Sequence, residues 1–234
     1  MKNIKKFLLI MAMTMALGTS AFAASGFEFL FQLAGGFGVT IPNKEAKDLG
    51  IEVSGSADAD VSAQIGYMFQ VVDGFGISVL GELGYAFDMY SIGDGNTVGV
   101  YDVGLIYHSF KVGLLPKFNI GVGNGAIAIG IGGGVKIPIS GTCRTTYRVD
   151  SDTLDSSPIY SLKRKDITEM FSPSVVGYMK VTFDYYLFFT DNIAMNFGLY
   201  LGGDFGPKMK YLDNIGCDSF DIGLQLGFRF GPKA

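Results

Sequence analysis

The chain has 234 residues and a formal charge of −4 at pH 7, and 34 of its residues are glycine. Without the first 23 residues, which hold three lysines and no acidic residue, the formal charge becomes −7. This acidic balance argues against nucleic acid as a partner. The glycine fraction is about twice the usual value of roughly 7%. The remaining length is typical of one domain, in particular of a barrel.

The first residues have the three parts of a cleavable secretory signal. Three lysines within the first six positions precede an apolar run over residues 7–17, and a small-x-small site ends at Ala23. We therefore expect a signal peptide over residues 1–23 and a barrel domain over residues 24–234. The apolar run is shorter than the about 20 residues that a transmembrane helix needs, and no later segment has such a run.

From Phe27 onward, apolar side chains alternate with polar or small ones, which is the period of a β-strand. Most of the predicted strands exceed the 5 or 6 residues that are common in soluble sheets. Their length suits membrane strands of about 9–11 residues with protruding ends. In chain order, the eight predicted strands cover residues 27–41, 59–71, 77–88, 101–108, 126–139, 175–189, 193–205 and 220–230.

The connections between these strands fall into two classes. Asp73-Gly74 and Asp191-Asn192 are tight turns, whereas residues 42–58 and 140–172 form long connections. Short periplasmic turns and longer external loops are typical of membrane barrels. We interpret residues 111–125 as another periplasmic turn, because a separate strand there would break this alternation. The sequence thus predicts an all-β, antiparallel transmembrane barrel of eight strands, with ten strands as the alternative.

The two faces of the predicted strands differ in composition. The apolar faces, including Tyr101, Val103, Leu105 and Tyr107 of the fourth strand, hold no charged residue. This composition favours contact with lipid, where a charge costs about 2–4 kcal/mol at the midplane. The other faces are rich in small residues, which suit the narrow lumen of an eight-stranded barrel. Charged residues on these inner faces predict an ion-pair network that plugs the lumen, or else a gated polar path: Glu82, Asp102, Lys136, Lys180 and Asp184.

The end of the chain alternates apolar residues from Phe220 to Phe230. Together with the signal and the strand count, this pattern resembles small outer-membrane barrels of the OmpA/OmpX/OmpW type over essentially the whole mature chain. The resemblance implies a bacterial outer-membrane location, contact with outer-membrane lipid, and recognition by the barrel-assembly machinery. Such families usually end on an aromatic residue, whereas here Gly231–Ala234 follow. We expect a monomer without a cofactor.

The predicted external loops hold the two cysteines and a long charged segment. Cys143 and Cys217 lie in different loops, where an oxidising environment would join them in a disulfide and a reducing one would leave two thiols. Residues 140–172 contain equal numbers of basic and acidic residues. Loops of this length are usually functional or disordered. The segment is predicted to be a solvated surface loop or a contact site for a host or surface ligand.

The sequence offers little sign of catalysis. His108 and Ser109 are adjacent, and adjacent strand residues point to opposite faces, so they cannot share one site. Lipid-deacylating barrels have one residue between their His and Ser. The leading hypothesis is a non-enzymatic barrel that anchors and displays surface loops, for envelope integrity or surface interaction. The alternative is a narrow porin-like channel for small or hydrophobic solutes, as the resemblance to OmpW-type barrels implies.

Overall fold

The structure is a computed structural model that describes residues 25–48, 50–93, 101–148, 154–156, 158–211 and 214–234. The predicted signal peptide lies outside these residues. Two short helices, α1 (Lys44–Lys47) and α2 (Arg164–Met170), accompany thirteen strands. The strands are β1 (Gly26–Pro42), β2 (Ser54–Val72), β3 (Phe75–Ile92), β4 (Tyr101–Leu114), β5 (Lys117–Val122), β6 (Gly125–Arg148), β7 (Leu154–Ser156), β8 (Tyr160–Lys163), β9 (Phe171–Ser172), β10 (Val176–Thr190), β11 (Ile193–Phe205), β12 (Lys208–Met209) and β13 (Cys217–Phe230).

The long strands form a closed antiparallel ring. β1 pairs with both β2 and β13, and the ring continues through β3, β4, β6, β10 and β11. β5 follows β4 along the same path, because both strands pair with β3 on one side and β6 on the other. β4 and β5 therefore make one wall strand. The predicted antiparallel barrel of eight strands is confirmed.

The prediction of a turn over residues 111–125 is wrong. The wall strand is interrupted at Leu115-Pro116 and resumes as β5 in the same register, and the turn lies at Gly123-Asn124. Proline has no N–H to donate to a sheet ladder, and it therefore interrupts the strand pattern at this position. The neighbouring backbone remains bonded, since the Leu115 N–H donates to the Leu80 carbonyl. The barrel still has eight wall strands, because β4 and β5 pair with the same two neighbours in one register.

The predicted face of the fourth strand is also wrong in its outer part. Leu105 and Tyr107, which we expected to face lipid, are each only 1% exposed, whereas Phe110 is on the exterior. Here the wall extends beyond the lipid-facing band, and apolar side chains pack inward beneath the external segments. An apolar face therefore does not identify the lipid side in this part of the strand.

The barrel exterior is apolar along the other wall strands, and its interior is polar. Phe37 is 77% exposed and Leu224 is 64% exposed, whereas Lys117 and Arg229 are fully buried. A closed ring satisfies every wall backbone group without water, which is the condition for crossing a bilayer with strands. Among the described residues, no helix has the length and hydropathy to span a membrane.

The external side carries a layer above the barrel mouth, which we call the external cap: residues 158–172, with β8, α2 and β9, and residues 206–211, with β12. β8 pairs with residues 140–143 of β6, and β9 pairs with β12. β6 itself continues to Arg148. The prediction of a solvated loop over residues 140–172 is wrong for Leu162, Ile167 and Phe171, which are buried.

Candidate functional site

The inner, periplasmic end of the lumen is closed around Arg229. Its side chain is 0% exposed, and its Nε lies 2.5 Å from the Oε1 of Glu28. The guanidinium also lies 4.8 Å from the centre of the Tyr186 ring. Glu28 accepts a second hydrogen bond from Ser78, whose hydroxyl accepts one from Asn119 at 2.8 Å. These contacts connect opposite walls of the barrel.

The residues after the last strand close the same end from below. In the segment Gly231–Ala234, which we call the terminal strap, the Pro232 carbonyl accepts a hydrogen bond from Arg229 Nη2 at 2.8 Å. Lys233 Nζ donates to the Gly123 carbonyl at 2.7 Å. Gly123 lies in the turn between β5 and β6, across the ring from β13. The strap therefore crosses the inner opening.

The middle of the lumen is organised around Asp184. Lys117 Nζ lies 2.9 Å from Asp184 Oδ2, and both side chains are fully buried. The other carboxylate oxygen accepts hydrogen bonds from Asn196 at 3.0 Å and Gln225 at 2.5 Å. Thr182 adds a further bond at 3.1 Å. A buried carboxylate with this many donors is well compensated for its loss of water.

The outer half of the lumen holds two further groups of ion pairs. Lys111 Nζ lies 2.8 Å from Asp60 and 3.3 Å from Glu82. Lys180 Nζ lies 3.5 Å from the same oxygen of Asp60. Tyr178 donates to Glu82 at 2.6 Å.

The second group is centred on Lys136. Its Nζ lies 2.6 Å from Asp88 and 2.8 Å from Asp204. Tyr90 donates to Asp204 at 3.0 Å. Because these partners lie on β3, β6 and β11, the group connects three separated wall strands.

Four of the five residues predicted for the lumen network are described with their side chains. Glu82, Lys136, Lys180 and Asp184 are all buried within the barrel, with at most 7% of each residue exposed. No ion pair joins two of these four, since each is paired with another lumen residue. Asp102 pairs through its backbone with Thr146, and its side chain lies outside the described part of the chain.

Sequence reasoning missed the partners that complete these ion pairs. Lys111 and Lys117 were missed because their segment was interpreted as a turn. The remaining partners could have been predicted from the alternation, because they occupy the inner face together with the small residues: Glu28, Asp60, Asp88, Asp204 and Arg229.

The outer mouth is covered by an apolar cluster. Tyr90, Leu105 and Tyr107 of the wall pack with Leu162, Ile167, Phe171, Val176 and Cys217. Arg164 of α2 fastens the external cap to the wall, with Nη1 donating to the Pro138 carbonyl at 3.1 Å. The lumen is thus closed by apolar packing at its outer end and by buried polar contacts at its inner end.

Both cysteines are free thiols and lie at the outer end of the barrel. Cys217 belongs to the apolar cluster, and Cys143 packs against it. Burial raises the pKa of the Cys143 thiol, which stands on the part of β6 beyond the lipid-facing band. The predicted disulfide stays a prediction.

His108 and Ser109 lie on opposite sides of the wall. Ser109 is fully buried, whereas His108 contacts the exterior rings of Tyr85 and Phe87. Tyr85 and His108 also share a hydrogen bond through the phenolic oxygen and Nδ1. These two neighbours therefore do not form a nucleophile–base pair. Among the described residues, no group of three or more His, Cys, Asp or Glu side chains is arranged to hold a metal ion.

No protein-family model and no curated protein sequence matches the chain. Among solved structures, Neisserial surface protein A has a TM-score of 0.38 and 10% identity, covering 88% of this chain and 99% of its own. The Escherichia coli outer membrane protease OmpT has a TM-score of 0.38 and 8% identity, covering 89% and 96%. The outer membrane protein OprG from Pseudomonas aeruginosa has a TM-score of 0.37 and 14% identity, covering 91% and 99%. At these scores the likeness does not bear on the activity of this chain.

The membrane assignment follows from the architecture of the barrel. A closed ring of eight strands with an apolar exterior and a filled polar interior is the construction of a bacterial outer-membrane barrel. The resemblance to small outer-membrane barrels is confirmed at the level of fold, and the chain is an outer-membrane barrel protein.

Proposed function

We propose that this barrel is a non-enzymatic anchor that holds the external cap at the cell surface and does not conduct solutes. The filled lumen carries this proposal. Lys111, Lys117 and Arg229 are at most 1% exposed, although they lie at successive depths in the barrel. A solute path would have to separate buried ion pairs, each of which leaves an uncompensated charge when it is broken.

The external cap supplies the surface that such an anchor would present. Ile159, Tyr160 and Tyr211 are 62%, 60% and 80% exposed and lie outside the lipid-facing wall. Aromatic residues are enriched in the binding surfaces of proteins. The predicted contact with a host or surface ligand through residues 140–172 therefore belongs to this cap, whereas outer-membrane lipid contacts the wall.

Conductance across a planar bilayer separates this proposal from the channel alternative. We expect the purified, folded barrel to give no reproducible current steps. Steps that change in size with Lys180→Met or Glu82→Gln would establish a lumen path and contradict the anchor. Lys165→Met is the matched control, because Lys165 lies on the exposed surface of α2.

Display of the external cap is tested on intact cells. In a background with Cys143→Ser and Cys217→Ser, Tyr211→Cys should react with a membrane-impermeant maleimide, whereas Asn192→Cys in a periplasmic turn should react only after lysis. The reverse pattern would contradict the orientation. We also propose that residues 1–23 are removed on export, so that the purified protein begins at Ala24.

A further inference from the structure

A row of polar residues crosses the exterior of the wall at the outer limit of the lipid-facing band. Strand pairing places Lys163 of β8 opposite Ser140 of β6, and places Ser140 opposite His108 of β4. Neighbouring strands lie about 4.8 Å apart, so the backbones of Lys163 and His108 are about 10 Å apart, with Ser140 between them. We call these three residues the outer polar row.

Burial along the three strands shows that the outer polar row faces away from the lumen. The residue before Lys163 and the residue after His108 are buried, and adjacent strand residues point to opposite faces. The register of β4 against β6 shifts next to His108, and Ile139 is the extra residue of this bulge. Ile139 is exposed and Ser140 is half-buried, whereas the residues before and after this pair are buried. The bulge therefore turns both residues toward the exterior.

The exterior on the membrane side of the outer polar row is apolar and aromatic. Tyr85 and Phe110 are paired across β3 and β4, and both are exposed, as is Ile139 of β6. Aromatic rings on the exterior of membrane barrels are typical of the level at which the lipid headgroups begin. The outer polar row therefore lies at the level of the headgroups of the outer leaflet.

Two nitrogen donors of the outer polar row are available to an anion. His108 Nδ1 shares a hydrogen bond with the Tyr85 hydroxyl, whereas Nε2 has no hydrogen-bond partner among the described residues. Among the same residues, no carboxylate lies within ion-pair distance of Lys163 Nζ. The carboxylate of Asp166 instead accepts a hydrogen bond from the Lys163 backbone N–H at 2.9 Å. An ammonium group without a carboxylate partner, beside a free N–H, favours binding of an anion.

The opposite side of the barrel has the other sign of charge near the same level. β13 lies four strands from β4 around the ring, and its exposed outer end has Asp218, followed on the same face by Phe220. A carboxylate at this position repels an anionic headgroup, whereas Lys163 attracts one. The difference directs such a headgroup to one side of the barrel.

We propose that the outer polar row binds the phosphate group of an outer-leaflet lipid. Lys163 supplies the positive charge, and His108 donates a hydrogen bond from Nε2 while Tyr85 donates to Nδ1 and holds the ring. The Ser140 hydroxyl is a third donor. The apolar surface next to the row favours a lipid over a free phosphate ion, because it can pack against the acyl chains. This site lies outside the lumen, so the proposal goes beyond the anchor function and stands whether or not the lumen conducts.

Fluorescence quenching tests the site, because the chain has no tryptophan of its own. Two reporters, Ile139→Trp beside the row and Phe220→Trp on the opposite wall, are reconstituted separately in phosphatidylcholine vesicles that contain brominated phosphatidic acid as the minor component. Bromine quenches only nearby tryptophan, so quenching measures the local fraction of phosphatidic acid, and brominated phosphatidylcholine calibrates each reporter. One lysine at a membrane surface enriches anionic lipid about fivefold. We expect an excess of this size at the Ile139 reporter over the Phe220 reporter.

Variants of the row should remove this excess. Lys163→Met and His108→Phe should each lower the local fraction of phosphatidic acid at the Ile139 reporter. Lys165→Met is the matched control, because Lys165 is an exposed lysine of α2 outside the row, and it should leave the excess in place. Equal quenching of the two reporters without these changes would overturn the proposal. A loss with Lys165→Met as large as with Lys163→Met would also overturn it, because the attraction would then belong to the cap as a whole.

A second measurement needs no variant, because His108 is the only histidine of the chain. In phosphatidylcholine nanodiscs, phosphatidic acid should shift the Nε2 resonance of isotopically labelled His108 in the wild-type barrel, and inorganic phosphate at the same concentration should not. No shift with phosphatidic acid would overturn the site. An equal shift with inorganic phosphate would overturn the assignment to a lipid, and an equal shift with oleic acid, which has a carboxylate, would overturn the assignment to a phosphate.

Discussion

Arg229 and Glu28 form a fully buried ion pair that joins the last barrel strand to the first, with 2.5 Å between Nε and Oε1. The pair lies at the seam where β13 meets β1 and closes the ring. The Arg229 guanidinium also binds the terminal strap, because it donates a hydrogen bond to the Pro232 carbonyl. One side chain therefore contributes to the contact between the first and last strands and to closure of the inner opening.

Removal of either partner should destabilise the barrel. Arg229→Met leaves Glu28 buried without its cation, and such a change typically costs about 3–5 kcal/mol. Arg229→Met with Glu28→Gln should lose less than the sum of the two single variants, because neither side chain then remains charged. Unfolding by urea in lipid vesicles measures the three free energies. Strictly additive losses would mean that the ion pair does not couple the two strands.

Removal of Lys117, in the middle of the lumen, should lower the stability of the barrel more than removal of Lys180, in its outer half. Lys117 donates two hydrogen bonds, one to Asp184 at 2.9 Å within their ion pair and one to Tyr186 at 3.3 Å. Lys180 has no hydrogen-bond partner among the described residues and lies 3.5 Å from Asp60. Asp60 also keeps Lys111 when Lys180 is removed. We expect Lys117→Met to lower Tm clearly more than Lys180→Met. The opposite order would show that the lumen pairs are arranged differently in the membrane.

Glycines at the inner and outer faces of β1 provide a matched pair of variants. Gly38→Ala places a methyl group 2.0 Å from the Phe220 carbonyl oxygen and 2.5 Å from Asp221 Oδ1, so the two strands must separate. Gly35→Ala meets only the Asp58 carbonyl, at 3.7 Å, which is an ordinary contact. We expect Gly38→Ala to lose about 1–3 kcal/mol of stability by overpacking and Gly35→Ala to change it little. Equal losses would argue against a tightly filled lumen.

Much of the wall was predictable because the lipid restricts one face of each strand. Val79, for instance, is 51% exposed and lies outside, while Glu82 lies inside, as their alternation predicts. Ion partners were not predictable, because the stagger of the strands decides which side chains meet across the lumen. Lys180 of β10 thus contacts Asp60 of β2, and no local pattern encodes that contact. The wall strand formed by β4 and β5 was not predicted as one strand, because Pro116 interrupts the hydrogen-bond ladder although the chain continues in the same direction.

The terminal strap should contribute to the stability of the folded barrel through its contact with Arg229. Deletion of residues 232–234 removes the acceptor of Arg229 Nη2 and the bond from Lys233 to Gly123. The loss of one hydrogen-bond partner of a buried charged group costs about 1–3 kcal/mol. Lys233→Ala, which removes only the exposed hydrogen bond to Gly123, should be nearly neutral. Urea unfolding measures both, and equal stability of the deletion and the wild type would contradict a role of the strap at the Arg229 site.

The cysteines allow a test of the external end by alkylation. Burial raises the pKa of Cys143, so less of this thiol is in the reactive thiolate form at neutral pH than in an unperturbed cysteine. The labelling rate of Cys143 in the folded barrel should therefore be low at neutral pH. As the pH rises, this rate should continue to increase after the labelling rate of an unperturbed cysteine has reached its maximum. Mass spectrometry after labelling of Cys217→Ser isolates Cys143. Rapid labelling at neutral pH would contradict burial, and two thiols that label only after reduction of the wild type would establish the predicted disulfide.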